Sequence, residues 1–454
     1  MNALILSALS GVIMMFSGIL LKDNKSGARL LAMILLAMII IANVLELRGV
    51  QFFAVDTKGM LLFNRFASLF TLVIFVCTFF FFLLSAKEME KVGKDYSEFF
   101  ALIFFILAGA VLVSAFKSLL ILFIGIEIIS IPLYILTSSD KRNLKSNEAG
   151  LKYFLMGSFS TGLMLMGIAL VYGATGTFNV ANMEANTSVL FMAGLMMLLF
   201  SMSFKVSAAP FHFWTPDVYD GAPTVFTSFM STIVKAASFV AFLKLFDESF
   251  GAIQPQWKLL VAIITAVTLF IGNITAVFQQ SVKRMLAYSS IAQAGFMMLA
   301  VYSVNSDAKE GLILYAAAYS LATIGIFSVL VKMKDYTFDG FNGFARQQPV
   351  IAATLVIFLL SLAGIPLTAG FMSKFYMLRA TIAGGSLWLV IFAVLMAAVS
   401  VYYYFRLIQA MYFKQGESQP IETSSAFKFI LVSVAAITIL LGVYPNLLTY
   451  WLYF

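Results

Sequence analysis

Two lysines and the only histidine of the chain stand in one apolar stretch, which makes it the leading candidate for a functional site. The stretch reads FKVSAAPFHFWTPDVYDGAPTVFTSFMSTIVK and contains Lys205, His212 and Lys235. A lysine inside a membrane-length apolar run costs about 2.5 to 3.5 kcal/mol on insertion scales. Such a residue usually faces the interior of a helix bundle or a water-filled path, where it moves ions or protons.

The composition requires a membrane bundle around this stretch. Of the 454 residues, 62% are hydrophobic and 11% are charged, which is typical of an all-α polytopic membrane protein. The single cysteine, Cys77, excludes a disulfide framework and a cysteine metal site. The net charge of +8 is expected to lie in cytoplasmic loops, and no basic arm indicates a nucleic-acid partner.

Fourteen apolar runs are long enough to cross a bilayer, and each is predicted to be a transmembrane helix. The first run has no positive residue before it and no clear cleavage site, so we expect a retained helix rather than a signal peptide. The runs, numbered as spans 1 to 14, are 3–21, 30–47, 61–85, 97–116, 118–137, 151–174, 187–214, 222–246, 256–279, 285–303, 311–333, 350–378, 386–413 and 427–447.

The loop charges predict the orientation. The odd-numbered loops hold 17 Lys/Arg, whereas the even-numbered loops together with the chain ends hold 8. Positive charge accumulates in cytoplasmic loops. Both termini are therefore expected on the non-cytoplasmic side.

Spans 4–8 (97–246) and 9–13 (256–413) are predicted to form two inverted five-helix repeats. Spans 7 and 12 are too long for one ordinary crossing and contain Pro210 and Pro366, so both helices should break. Broken helices at matching places in inverted repeats indicate a translocation site. The flanking divisions are the N-terminal helices 1–3 (1–96) and the C-terminal helix 14 (414–454).

Buried charges supply the predicted chemistry. Glu127 lies at the centre of span 5, where a carboxylate must be protonated, paired or hydrated. Lys205, Lys235 and Lys374 lie deep in spans 7, 8 and 12. A carboxylate and lysines connected through water can pass a proton as coupled titrating groups.

Three further positions are weaker candidates for the same chemistry. Lys152 follows Glu148 at the i,i+4 spacing of an ion pair, although it is close enough to the cytoplasmic end to reach solvent. His212 follows Pro210 by two residues and is either a relay or a structural cap. No nucleotide-binding motif, nucleophile elbow or clustered metal ligands occur in the sequence, so the chain is not expected to bind a redox cofactor.

Four segments resemble the subunit N family of the proton-pumping NADH–quinone oxidoreductase, respiratory complex I. The first segment is 204–239, and its motif WTPDVYDGAP resembles that of subunit N rather than that of its antiporter-like paralogues. The other three segments are EAGLKYFLMGSFSTGLMLMGIALVYGATG (148–176), KRMLAYSSIAQAGF (283–296) and GIPLTAGFMSKFYML (364–378).

The resemblance implies a role for each matching position. Glu127 and Lys205 resemble the family's glutamate–lysine pair, Lys235 the connecting lysine and Lys374 the lysine at the outlet. Glu148 and Lys152 match secondary charged positions. Where the family often has histidine, this chain has Gln293, whose side chain cannot carry a proton as imidazole does.

The resemblance also implies the surroundings of the chain. The expected setting is a bacterial inner membrane, with other membrane-arm subunits, antiporter-like paralogues among them, as partners. NADH, FMN, iron–sulfur clusters and quinone are expected in other subunits and none on this chain. The enzyme would be a proton-translocating oxidoreductase in which this chain performs no redox step.

Two alternatives remain at this point. The chain could be a subunit of a multi-subunit cation/proton antiporter, whose antiporter-like chains have a similar fold, but the PDVYDGAP segment favours complex I. It could also be a scaffold that conducts nothing. The five expected buried charges, Glu127, Lys152, Lys205, Lys235 and Lys374, argue against a scaffold.

Overall fold

The computed structural model describes residues 1–21, 24–93, 96–183, 186–416 and 421–453, apart from the side chain of Asn182. Within these residues the chain is helical, with isolated β-bridges and no β-strand. A π-helical turn spans Met230–Val234, and short 3-10 turns occur at Val180–Asn182, Gly251–Ile253, Asp339–Phe341 and Tyr450–Leu452. The α-helices are α1 (Asn2–Leu20), α2 (Lys25–Leu47), α3 (Arg65–Met89), α4 (Tyr96–Ala115), α5 (Leu119–Thr137), α6 (Leu144–Thr175), α7 (Val189–Lys205), α8 (Trp214–Gly221), α9 (Thr224–Phe229), α10 (Lys235–Phe250), α11 (Gln254–Val277), α12 (Val282–Ser303), α13 (Ser306–Leu330), α14 (Phe344–Gln347), α15 (Pro349–Ala363), α16 (Ala369–Ala383), α17 (Leu387–Tyr412), α18 (Ser425–Val443) and α19 (Asn446–Thr449).

Each of the fourteen predicted spans coincides with helix in the described residues. Eleven helical stretches of the described residues are long and apolar enough to cross a membrane. The difference has two sources. Spans 7 and 12 are divided into shorter helices, and spans 8 and 9 follow each other within one 54-residue stretch, Thr224–Val277. The fold class predicted from the sequence, an all-α polytopic membrane protein, is confirmed.

Both predicted helix breaks are present. In span 7, α7 ends at Lys205, and Pro210 lies in the non-helical segment before α8. In span 12, α15 ends at Ala363, and Gly364 takes the left-handed conformation with φ 85° just before Pro366. Glycine is the residue best suited to that backbone conformation at a helix C-terminus.

The centre of the bundle is formed by α10, α12 and α13, whose residues are buried along nearly their full length. Around them, α1, α2, α6, α17 and α18 keep wide apolar faces exposed. Exposed apolar surface on membrane-length helices is the surface that lipid or neighbouring subunits cover. A lysine on α10 or α12 is therefore held inside the protein.

A local pattern recurs in the two halves. Ser118 caps α5, and the backbone amide of Leu119 donates to Phe178 at 2.9 Å. Ser281 also caps its helix, α12, although its hydroxyl accepts from an amide three residues on and that of Ser118 from an amide two residues on. The amide of Val282 donates to the carbonyl oxygen of Tyr336 at 2.7 Å. The two helices therefore begin with similar local contacts.

Candidate functional site: a buried line of lysines

Glu127 and Lys205 meet through a hydroxyl group. Glu127 lies at the middle of α5, and its Oε1 accepts a 2.8 Å hydrogen bond from Thr161 Oγ1 on α6. Lys205 Nζ lies 3.4 Å from the same Thr161 oxygen and donates to Ser130 Oγ at 2.9 Å. Thr161 can donate to the carboxylate while accepting from the ammonium group, so it connects the two charges.

The helices explain why these groups converge. Glu127 and Ser130 are three residues apart on α5, and this spacing places both on one face of the helix. Lys205 is the last residue of α7, where the negative end of the helix dipole favours a positive charge. The break after Lys205 thus places the ammonium group beside α5 and α6.

Lys235 lies deeper and has polar but uncharged partners. Its side chain is buried, and Nζ donates to the carbonyl oxygen of Ser290 at 3.0 Å and to Ser290 Oγ. Tyr319 Oη donates to the same Ser290 hydroxyl at 3.0 Å. The π-helical turn Met230–Val234 comes directly before Lys235, and such turns often occur at functional sites.

Gln293 lies one turn beyond Ser290 on α12 and is fully bonded. Its Nε2 donates to the carbonyl oxygen of Leu362 at 2.9 Å and approaches Tyr404 Oη at 3.1 Å, and its Oε1 accepts from Tyr315 Oη. The amide therefore joins α12, α13, α15 and α17. It holds this junction together without itself carrying a proton.

Lys374 uses the second helix break. Its buried Nζ donates to the carbonyl oxygens of Leu362 at 2.8 Å and Ala363 at 2.9 Å, the last residues of α15. These carbonyls have no partner further along α15 because that helix ends at Ala363. The Phe296 ring lies 4.5 Å from Nζ and adds a cation–π contact. The break thus stabilises an ammonium group without a carboxylate.

A small cavity lies beside Lys374 and reaches Tyr319, which bonds the Ser290 partner of Lys235. Its volume is about 10 Å³, and its lining includes Tyr319, Gln293, Ser373 and Lys374. That volume is close to the minimum that one water molecule requires. Its lining surface is mostly apolar but includes the polar side chains of Gln293, Tyr319 and Lys374. One water there would connect the Lys235–Ser290–Tyr319 group with Lys374.

His212 lies buried in the break between α7 and α8. Its Nδ1 has no hydrogen-bond partner among the described residues, and the same is true of the buried hydroxyls of Ser203 and Thr215. Buried polar atoms in this state are the groups that hold internal water. The segment around the first break therefore has the chemistry for hydration.

Lys152 and Glu148 do not belong to the buried line. Lys152 Nζ pairs with Glu148 at 2.7 Å, the spacing expected from the sequence, and with Asp217 at 3.1 Å. Its side chain is 42% exposed, so the expectation that Lys152 is a buried charge is wrong. It lies about two turns from the start of α6. From there its long side chain reaches the surface.

The same surface cluster fixes α8. Arg284, near the start of α12, pairs with Asp217 at 3.2 Å. Partial burial acts to raise the pKa of Asp217, but Lys152 and Arg284 outweigh it and hold that pKa below the usual value for aspartate. Asp217 therefore stays ionised near neutral pH and anchors α8, whose Tyr219 ring lies 5.7 Å from Lys235 Nζ.

Sequence reasoning missed two kinds of residue. The uncharged links Thr161, Ser290 and Tyr319 give no signal, because hydroxyl groups are common in membrane helices. Lys244 and Lys283 were counted with the loops, but both side chains are buried and donate to backbone carbonyls. In both cases the burial depends on neighbours that are distant in sequence.

The described residues contain no group of three or more His, Cys, Asp or Glu side chains that could hold a metal ion. The chemistry available at the buried line is proton transfer between a carboxylate, three lysines and intervening hydroxyls.

Comparison with known proteins identifies the family. Residues 116–400 match the family described as NADH:quinone oxidoreductase/Mrp antiporter, transmembrane. NADH-quinone oxidoreductase subunit N of Cytophaga hutchinsonii is 42% identical over 399 residues, which are 86% of this chain and 87% of the relative. This chain belongs to the NADH-quinone oxidoreductase subunit N family. The predicted family resemblance is confirmed.

Solved structures agree with the family at the level of the whole fold. A chain of respiratory complex I from Thermus thermophilus with bound aureothin is 30% identical, with a TM-score of 0.86, 99% of this chain covered and 98% of that chain. A chain of the Mrp complex from Dietzia sp. is 17% identical, with a TM-score of 0.85 and coverage of 99% and 96%. The fold is thus common to both complexes, whereas the higher sequence identity favours subunit N over the antiporter alternative.

Proposed function

We propose that this chain is a proton-translocating membrane subunit of an NADH–quinone oxidoreductase. In this role it moves protons through Glu127, Lys205, Lys235 and Lys374 while other subunits oxidise NADH and reduce quinone. The observation that carries the proposal is the line from the half-buried Glu127 and Lys205 to the buried Lys235 and Lys374. All three lysines of that line donate to hydroxyl or carbonyl oxygens, and no carboxylate lies within ion-pair distance of them among the described side chains.

Neutral oxygen partners suit a proton carrier. A lysine held by a buried carboxylate keeps its proton, whereas a lysine held by hydroxyls and carbonyls loses it when a nearby cation arrives. A charge moved against 100 mV requires about 2.3 kcal/mol. A pKa change of less than two units corresponds to that free energy, at about 1.4 kcal/mol per unit. Small movements at the two helix breaks would supply it.

Gln293 has a defined part in this proposal. Because the amide cannot carry the proton, the proton would pass beside it, through the water-sized cavity between Tyr319 and Lys374. His212, Pro210 and Pro366 would act at the breaks, His212 by holding water and the prolines by ending the helices. Glu148 and Lys152 would act at the surface, by anchoring α8 through Asp217.

The setting follows from the family. We propose that the chain lies in a bacterial inner membrane beside other antiporter-like subunits, with both termini on the non-cytoplasmic side. It would bind none of the NADH, FMN, iron–sulfur clusters or quinone that the complex uses. The divisions 1–96, 97–246, 256–413 and 414–454 would be the N-terminal helices, two inverted repeats and the C-terminal helix, and the matching starts of α5 and α12 support the repeats.

The proposal is tested by purifying the complex through a tag on this chain. We expect flavin and iron–sulfur clusters, detected by their absorbance, to copurify with the chain. We also expect the purified complex, reconstituted in vesicles, to drive proton uptake when NADH is added. A complex without those chromophores that exchanges sodium for protons without NADH would instead support the antiporter alternative. Copurified chromophores with no proton uptake in tightly sealed vesicles would leave the chain as a scaffold.

A further inference from the structure

A large cavity at the terminus-bearing end of the bundle shares no lining residue with the line of lysines. Its volume is about 680 Å³, and its lining residues come from the end of α2, the start of α3 and the C-terminal 3-10 turn. They are Glu46, Leu47, Arg48, Gly49, Arg65, Tyr450 and Trp451. A pocket of this size accommodates a small organic ligand or a lipid headgroup.

The cavity has an excess of positive charge. Glu46 is the only acidic lining residue, and it already accepts from the amino group of Met1. Arg48 and Arg65 have no hydrogen bond or ion pair from their guanidinium groups to any described residue. Guanidinium groups bind phosphate oxygens in pairs of parallel hydrogen bonds. The ligand that suits two unpaired arginines is therefore a phosphate group.

The surroundings distinguish a lipid from free phosphate. Leu30, Ile34, Met38 and Ile41 form an exposed apolar stripe along α2. Arg48 follows Ile41 by seven residues, so it stands at the end of that same helix face. Tyr450 and Trp451 border the cavity, and such aromatic residues concentrate at the headgroup level of membranes.

We propose that this cavity binds the headgroup of an anionic phospholipid. The phosphate would lie between Arg48 and Arg65, and an acyl chain would run along the α2 stripe. The inference is independent of the proton path, because no residue of the buried line contributes to the cavity.

The test uses the assembled complex in vesicles of phosphatidylcholine with or without phosphatidylglycerol, followed by detergent extraction and mass spectrometry of retained lipid. In the wild type, phosphatidylglycerol should be retained in preference to phosphatidylcholine. The double variant Arg48→Gln with Arg65→Gln should retain it about tenfold less. The control pair Lys141→Gln with Arg142→Gln removes two exposed charges from another loop and should behave as wild type.

Several results would overturn the proposal. Equal retention in all variants, or equal retention of phosphatidylcholine in the wild type, would show that the arginines do not select the headgroup. Displacement of phosphatidylglycerol by inorganic phosphate would assign the cavity to free phosphate. Loss of assembly that added phosphatidylglycerol does not restore would assign the arginines to a protein contact. If the double glutamine variant does not assemble, the double variant Arg48→Lys with Arg65→Lys is tested in its place. It should retain less lipid than wild type, and unchanged retention would contradict binding by guanidinium groups.

Discussion

Gln293 and Lys374 donate to the same oxygen atom, the carbonyl of Leu362, at 2.9 and 2.8 Å. That carbonyl is available because α15 ends one residue later. The helix break therefore holds the last lysine of the buried line and connects it with the centre of the bundle. Movement of α15 relative to α16 would change both contacts at once.

The first prediction concerns the hydroxyl between Glu127 and Lys205. Thr161→Val keeps the shape of the side chain and removes that hydroxyl. Loss of a hydrogen bond to a charged group corresponds to about 1.5 to 3 kcal/mol, so we expect NADH-driven pumping to slow by about tenfold or more. The measurement is the initial rate of proton uptake into vesicles at matched content of assembled complex.

Thr175→Val is the matched control for this prediction. It removes a hydroxyl from the same helix, α6. That hydroxyl bonds only to nearby residues of the chain and donates to the carbonyl oxygen of Val171 at 2.9 Å. Thr161→Ser should restore most of the rate because it restores the hydroxyl. Wild-type pumping by Thr161→Val would show that Glu127 and Lys205 communicate by another route.

The second prediction concerns Gln293. Gln293→His should assemble and pump, because imidazole can donate one hydrogen bond and accept another, and it can also carry a proton beside the cavity. Gln293→Leu should assemble less well and pump slowly, since it would leave the buried Leu362 carbonyl and Tyr315 hydroxyl with fewer partners. Both are compared by proton uptake and by the amount of intact complex on a native gel.

An opposite pattern would change the role of this residue. If Gln293→His abolished assembly while Gln293→Leu pumped normally, the amide would be a packing element and the proton would not pass nearby.

The third prediction uses two glycines with the same backbone strain. Gly364 and Gly385 have φ of 85° and 84°, so alanine at either position is strained by about 1 to 2 kcal/mol. A Cβ on Gly364 would also lie 2.8 Å from Lys374 Cδ, whereas a Cβ on Gly385 would meet nothing within 4 Å. Gly364→Ala should therefore lower pumping per NADH oxidised, and Gly385→Ala should not.

The readout is the ratio of protons moved to NADH oxidised, with thermal stability of the complex as the second measurement. We expect similar losses of stability from the two variants but different ratios. Equal ratios would mean that the position of Lys374 can shift without effect on proton transfer.

The sequence predicted the fold well because membrane-length apolar runs and prolines act locally. The fourteen spans and both breaks depend on hydrophobicity and on the missing amide hydrogen of proline, so each could be located without knowledge of its neighbours. The predicted positions of Lys235 and Lys374 inside the bundle follow from the same local pattern.

The links between the charges could not be predicted in this way. Ser290 contacts Lys235 across 55 residues of sequence, and Tyr319 contacts Ser290 across 29. Serine and tyrosine are ordinary residues in membrane helices. The burial of Lys152 was predicted wrongly because it depends on how far the side chain reaches past α8. That reach is set by helix packing and is not visible in the sequence. The charge of a residue is visible in the sequence, but its partners are not.

The central claim is tested most directly at Lys235, the buried lysine between the two halves of the line. Lys235→Met keeps the length and apolar stem of the side chain and removes the ammonium group. Lys244→Met makes the same exchange on the same helix, where the buried lysine donates to the Ser114 carbonyl at 3.1 Å outside the line. At matched assembly, we predict that NADH-driven proton pumping is lost in Lys235→Met and retained in Lys244→Met. Wild-type pumping and NADH turnover in Lys235→Met would contradict the account.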